Sequence, residues 1–201
     1  MRTRADPLPA APEVLGKDMI RNRFARLAPV ALLLATAVAG TAQAATDGSL
    51  GATSTGTVNI NATIASRVQI SGLSDITIAS TDPNTPETKA QDVCVWSNTA
   101  GKKYNIRATG SGSSSAFTLA SGTLAPVNYT VEWAQTIGQS GGTSLVSGTA
   151  LTGQASTAAN PTCASGGKSA SLVVKMDTTN LQAMQAGATY AGVLTLLVAP
   201  E

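Results

Sequence analysis

Val127-Asn-Tyr-Thr-Val-Glu-Trp-Ala134 is the stretch that decides the fold. Val127, Tyr129, Val131 and Trp133 alternate with Asn128, Thr130, Glu132 and Ala134. A period of two places the first four side chains on one face of an extended chain and the other four on the opposite face, the pattern of a half-buried β-strand.

The same pattern recurs outward from it. Towards the N-terminus, Tyr104, Ile106 and Ala108 alternate with Asn105, Arg107 and Thr109, and Gln91 to Trp96 reads as a strand carrying Val93 and Val95. Arg67-Val-Gln-Ile70 and Asp75-Ile-Thr-Ile78 are short strands, and residues 116–120 make another. Towards the C-terminus, a hairpin tip at Gly138 to Thr143 leads to a strand over Leu145 to Leu151, then a loop from Thr152 to Lys168. Ser171 to Met176 is a strand with Leu172, Val174 and Met176 on one face. Asp177 to Gly187 fits one or two helical turns, with Asp177 or Thr178 as N-cap and Gly187 as stop. A last strand spans about Thr189 to Ala199. Short strands separated by Gly, Ser and Asn turns, with no long helical period, predict an all-β antiparallel sandwich.

The first 44 residues read differently. Arg21, Arg23 and Arg26 precede an apolar run from Leu27 to Ala39, and Ala42-Gln-Ala44 supplies small residues at the A-x-A spacing. This is a secretory signal peptide with cleavage after Ala44, and Met19 is the better translation start. The expected organisation is thus a leader over 1–44, an N-terminal extension over 45–66 and a β-domain over 67–201. Beyond the leader, seven Lys and Arg face eight Asp and Glu, a net charge of −1, although the whole chain carries +2. With no dense basic face, nucleic-acid binding is excluded as an expectation.

Cys94 and Cys163 are the only cysteines and both lie in the exported part, so a disulfide between them is expected. A metal site needs more ligands, and the chain has no histidine. Gly138-Gln-Ser-Gly-Gly142 matches the G-x-S-x-G nucleophile motif, but that motif requires a strand-to-helix elbow and a base. Ser165-Gly-Gly-Lys168 matches S-x-x-K, but without the helix and companion signatures of the enzymes that use it. Neither supports catalysis, and the expectation is a protein that is not an enzyme, with no cofactor. Trp96, Tyr104, Phe117, Tyr129, Trp133 and Tyr190 could form a sugar platform, but most are in phase with strands, so core packing is the expectation.

Two further segments carry a resemblance. Thr55-Gly-Thr-Val-Asn-Ile-Asn-Ala-Thr-Ile64, the following Val68-Gln-Ile70, and Gly187-Ala-Thr-Tyr-Ala-Gly-Val-Leu-Thr-Leu-Leu-Val198 resemble bacterial pilins of the chaperone–usher class, with the nearest likeness to spore coat protein U-like and CS1-type fimbrial major subunits. The resemblance implies an incomplete immunoglobulin-like sandwich that lacks its last strand, and a fibre built by strand exchange between subunits. It makes Val58, Ile60, Ala62 and Ile64 the inward side chains of a donor strand. It makes Leu194, Leu196 and Val198 the edge of the groove that such a strand fills. The implied partners are identical or related subunits, a periplasmic chaperone and an outer-membrane usher, and the implied location is the cell surface. The chain departs from better-known pilins in its widely spaced cysteines and in Pro200, which holds a place usually aromatic. A self-complemented form, and a monomeric secreted module that binds carbohydrate, are the alternatives.

Overall fold

The computed structural model describes residues 44–164 and 167–201. The expected signal peptide and Met19 start therefore lie outside the described residues, as do Ser165 and Gly166 of the S-x-x-K match. The chain divides into two compact units, 1–61 and 62–201. In the first, Thr46 and Thr57 form an antiparallel bridge, each N–H donating to the other's carbonyl at 3.0 and 2.9 Å.

The second unit is an antiparallel all-β fold of ten strands: β1 (Val68–Ser71), β2 (Glu87–Ser97), β3 (Lys103–Gly110), β4 (Thr118–Leu119), β5 (Val127–Asn128), β6 (Thr130–Ala134), β7 (Thr143–Ser144), β8 (Ala150–Ala155), β9 (Ala170–Met176) and β10 (Leu194–Pro200). One five-stranded sheet has the order β1-β2-β9-β6-β7, a three-stranded sheet the order β10-β3-β8, and β4 pairs with β5 alone. Every pairing is antiparallel.

Alternation puts the core between the sheets. Val93 and Val95 of β2, Val131 and Trp133 of β6, and Leu172, Val174 and Met176 of β9 meet Tyr104, Ile106 and Ala108 of β3. The Trp133 indole N–H donates to the Tyr104 hydroxyl at 3.1 Å, so the two largest buried side chains also satisfy each other's polar atoms. Helix α1 (Thr178–Gln182) opens as expected on Asp177, whose carboxylate accepts from the Asn180 N–H at 2.8 Å.

Several elements differ from the sequence reading, each for a local reason. Residues 127–134 do not form one strand: the chain changes partner at Tyr129, pairing with β4 before it and with β9 after it. Residues 75–78 are not a strand. The Gln91 side chain accepts from the Ser74 N–H and donates to its carbonyl, at 2.9 and 3.0 Å, in place of a backbone ladder, yet Ile76 and Ile78 still pack on the core. The strand expected over 145–151 lies later, as β8. Its pairing with β3 shifts register after Tyr104, and Gly153 there has φ +72°, a bulge that hides any alternation. The last strand starts at Leu194 rather than Thr189, because Ala191 bridges to Ala120 on another element. Gly192 is required in that crossing, where an added Cβ would sit 2.8 Å from the Thr118 carbonyl.

Candidate functional site

β10 is paired on one side only. Its seven residues ladder with β3 from Leu194↔Gly110 to Pro200↔Tyr104, and among the described residues no strand lies beyond it. The Glu201 N–H donates to the Lys103 carbonyl at 3.3 Å and the Val193 N–H to Ser111 Oγ at 2.9 Å, so odd-numbered backbone groups point towards β3. Backbone groups alternate sides along a strand. Those of Leu194, Leu196 and Val198 therefore face the open edge, and Pro200 brings no N–H to it.

The side chains of Leu194, Leu196 and Val198 are half-buried and pack on the core, while Leu197 on the opposite face is 47% exposed. β1, the edge of the other sheet, runs within 8 Å of β10 (Cα to Cα) without joining its ladder. Val68 and Ile70 of β1, followed by Ile76 and Ile78, are half-buried apolar side chains packed on the same core. Two sheet edges thus lie side by side, each with a row of incompletely covered apolar groups. An open edge with unspent hydrogen bonds and partly wet apolar side chains is a template for another strand.

The expected donor segment is exposed. Val58, Ile60 and Ile64 are 75, 90 and 84% accessible, Ala62 is exposed too, and apart from the Thr57 bridge no residue of 56–64 is in a ladder. Isolated exposed apolar residues are ordinary; here three large ones follow one another at spacings of two and four.

Cys94 and Cys163 form a disulfide spanning 69 positions. It ties residues 156–164 onto the end of β2 that β9 does not reach. There serine hydroxyls replace a strand: the Val95 N–H donates to Ser169 Oγ at 2.8 Å, and the Val95 carbonyl accepts from the hydroxyls of Ser169 and Ser156. The Lys102 ammonium holds the same segment through the Ala158 carbonyl at 2.8 Å. Ser71 Oγ of β1 donates to the Pro161 carbonyl at 3.3 Å, so this segment also secures β1, the strand beside β10.

The enzyme-like motifs sit apart from any such arrangement. Gly138 to Gly142 is a loop joining β6 to β7, without a helix after it. Its Gly138 N–H donates to Asp92 Oδ1 at 2.8 Å, and the Gln139 N–H to Ser171 Oγ at 3.2 Å. The Ser171 hydroxyl donates to Asp92 Oδ1 at 2.6 Å and, with the Gly138 N–H, holds the Asp92 carboxyl below the usual aspartate value of 3.8. Glu132 is likewise lowered, first by the Lys175 ammonium at 2.8 Å from both its oxygens. Among the described residues no three His, Cys, Asp or Glu side chains gather to hold a metal, and no helix is long and apolar enough to cross a membrane.

These depressed carboxylates set an acid limb. Stability from Asp92 is complete above its unfolded pKa and is lost as pH falls through the lower folded value. We expect the melting temperature to drop between about pH 5 and pH 2, and Asp92→Asn to flatten that slope in a pH series of thermal melts. An unchanged slope would contradict it.

Of the six aromatics among the described residues, Tyr104, Tyr129 and Trp133 are buried, and Phe117 and Tyr190 pack on the core. Trp96 differs. It lies half-buried on the outer face of β2 beside Cys94, Ala158 and Cys163. No protein-family model and no curated protein matches the chain.

Proposed function

We propose that the chain is a structural subunit of a bacterial surface fibre, exported by its leader and assembled by strand exchange with identical or related subunits. The observation that carries this reading is the open edge of β10, flanked by half-buried apolar rows, in a chain that also bears the exposed alternating segment 56–64. The strand orders support its immunoglobulin-like form. The order β1-β2-β9-β6 corresponds to A-B-E-D of that fold and β3-β10 to C-F, and the absent neighbour of β10 corresponds to strand G.

In this reading Val58, Ile60, Ala62 and Ile64 of one subunit enter the cleft of the next. Backbone bonds to the edge groups of Leu194, Leu196 and Val198 supply strength, and side-chain fit fixes register. A periplasmic chaperone and an outer-membrane usher guard the open edge before assembly, as in the proteins that this one resembles.

The test is a peptide. Protein lacking residues 45–64, titrated with a peptide of residues 55–66, is expected to gain about 3 kcal/mol at a hundredfold excess over Kd, read as a rise in melting temperature. The same peptide with Ile60→Asp is expected to give no rise. Equal responses to both, or to neither, would refute the reading. The alternative of a monomeric carbohydrate-binding module keeps only Trp96 as an accessible tryptophan, since Trp133 is 1% exposed.

A further inference from the structure

Trp96 forms part of a depression of about 510 Å³ where the outer face of β1 and β2 meets the end of β10, together with Arg67, Val68, Gln69, Pro161 and Pro200. Its walls are fixed from behind. The Asn98 side chain accepts from the Arg67 N–H at 2.6 Å and donates to the Ala65 carbonyl at 2.9 Å, and the Asn98 N–H bonds the Arg67 carbonyl at 3.1 Å. On the other side Pro161 lies two residues from Cys163 of the disulfide, and its carbonyl accepts from Ser71 Oγ. Gln69 is the cross-strand partner of Trp96, so the two side chains share a face.

The chemistry gathered there is unbalanced. Among the described residues the Arg67 guanidinium, the Gln69 amide and the Trp96 indole N–H have no hydrogen-bond partner within the protein. The two prolines add apolar surface and no N–H. A flat aromatic bounded by apolar rings suits the C–H face of a pyranose, while an amide suits vicinal hydroxyls and a guanidinium suits a carboxylate. No acidic residue lines the depression to neutralise Arg67.

We propose that this depression is a binding site for an acidic saccharide, with a uronic acid ring on Trp96, its carboxylate on Arg67 and its hydroxyls on Gln69. The depression abuts the Pro200 end of β10, but the proposal draws on Arg67, Gln69 and Trp96 and does not rest on the fibre reading.

The chain's two tryptophans make the test clean, because Trp133 is buried and a ligand-dependent change in fluorescence reports Trp96. The exported protein is titrated with methyl glucuronide, methyl glucoside and sodium acetate. Methyl glucuronide is expected to give a saturable change, the neutral glucoside to bind about tenfold more weakly, and acetate to give none. Arg67→Ala is expected to erase the preference for the acidic sugar while the melting temperature holds. A response to acetate equal to that of the glucuronide would reduce the site to a simple anion contact and overturn the proposal. So would no saturable response to either sugar, or an acidic preference that survives Arg67→Ala. Trp96→Phe, read by calorimetry, is expected to retain weakened binding; undiminished binding would place the sugar elsewhere and also overturn it.

Discussion

Trp133→Ala is expected to cost about 4 kcal/mol, the largest loss from any single side chain here. Trp133 is the largest of the fully buried side chains and lies between the two sheets, where its N–H meets the Tyr104 hydroxyl. Truncation removes a large apolar surface, leaves a cavity between sheets that cannot fully collapse, and strands the Tyr104 hydroxyl. A domain of this size has only about 5–15 kcal/mol to lose. The measurement is urea denaturation. Trp133→Phe keeps most of the ring volume and separates packing from the hydrogen bond, with an expected loss of about half as much. A loss below about 1 kcal/mol for Trp133→Ala would mean that the sheets do not pack through this residue.

Removing the disulfide is expected to be nearly as damaging. Replacing both Cys94 and Cys163 by serine releases a loop spanning 69 positions, worth about 4 kcal/mol in the chain-entropy account. The loss has a local signature too. Ser156 and Ser169 stand in for a strand beside Val95, and Ala158 and Cys163 share a cluster with Trp96. Once the tether is cut, acrylamide should quench Trp96 more readily while Trp133 stays shielded, as long as the domain remains folded. Unchanged stability together with unchanged quenching would show that the serine and Lys102 contacts hold residues 156–164 unaided.

The strands easiest to foresee are those whose burial is one-sided. β3 and β6 follow alternation because one face of each meets the core, β9 is buried on both faces yet still carries Leu172, Val174 and Met176 on its core side, and Asp177 announces α1 because a carboxylate before a helical turn has one common use. β8 was hidden because its order comes from backbone pairing around a bulge at Gly153 and not from a repeated apolar face. The switch at Tyr129 was hidden for the opposite reason: the side chains keep alternating while the backbone changes neighbours.

For the site, the alternation of Leu194, Leu196 and Val198 announces β10 as a strand with one face on the core, while its place at a sheet edge depends on its pairing with β3. The facing edge was only half legible. Val68 and Ile70 show period two, as do Ile76 and Ile78, but nothing local tells that these pairs border the same cleft, since that depends on β2 and the Gln91 side chain. The Trp96 depression could not be read from the sequence, because its residues come from four separated segments brought together by the disulfide and by Asn98.

The central claim is strand exchange through residues 56–64, and the most direct test is the mass in solution. Protein spanning 45–201 and protein spanning 65–201 are compared by size-exclusion chromatography with light scattering over a range of concentrations. The longer form is expected to give multimers that grow with concentration, and the shorter form a folded monomer. A folded monomer in both forms would contradict strand exchange.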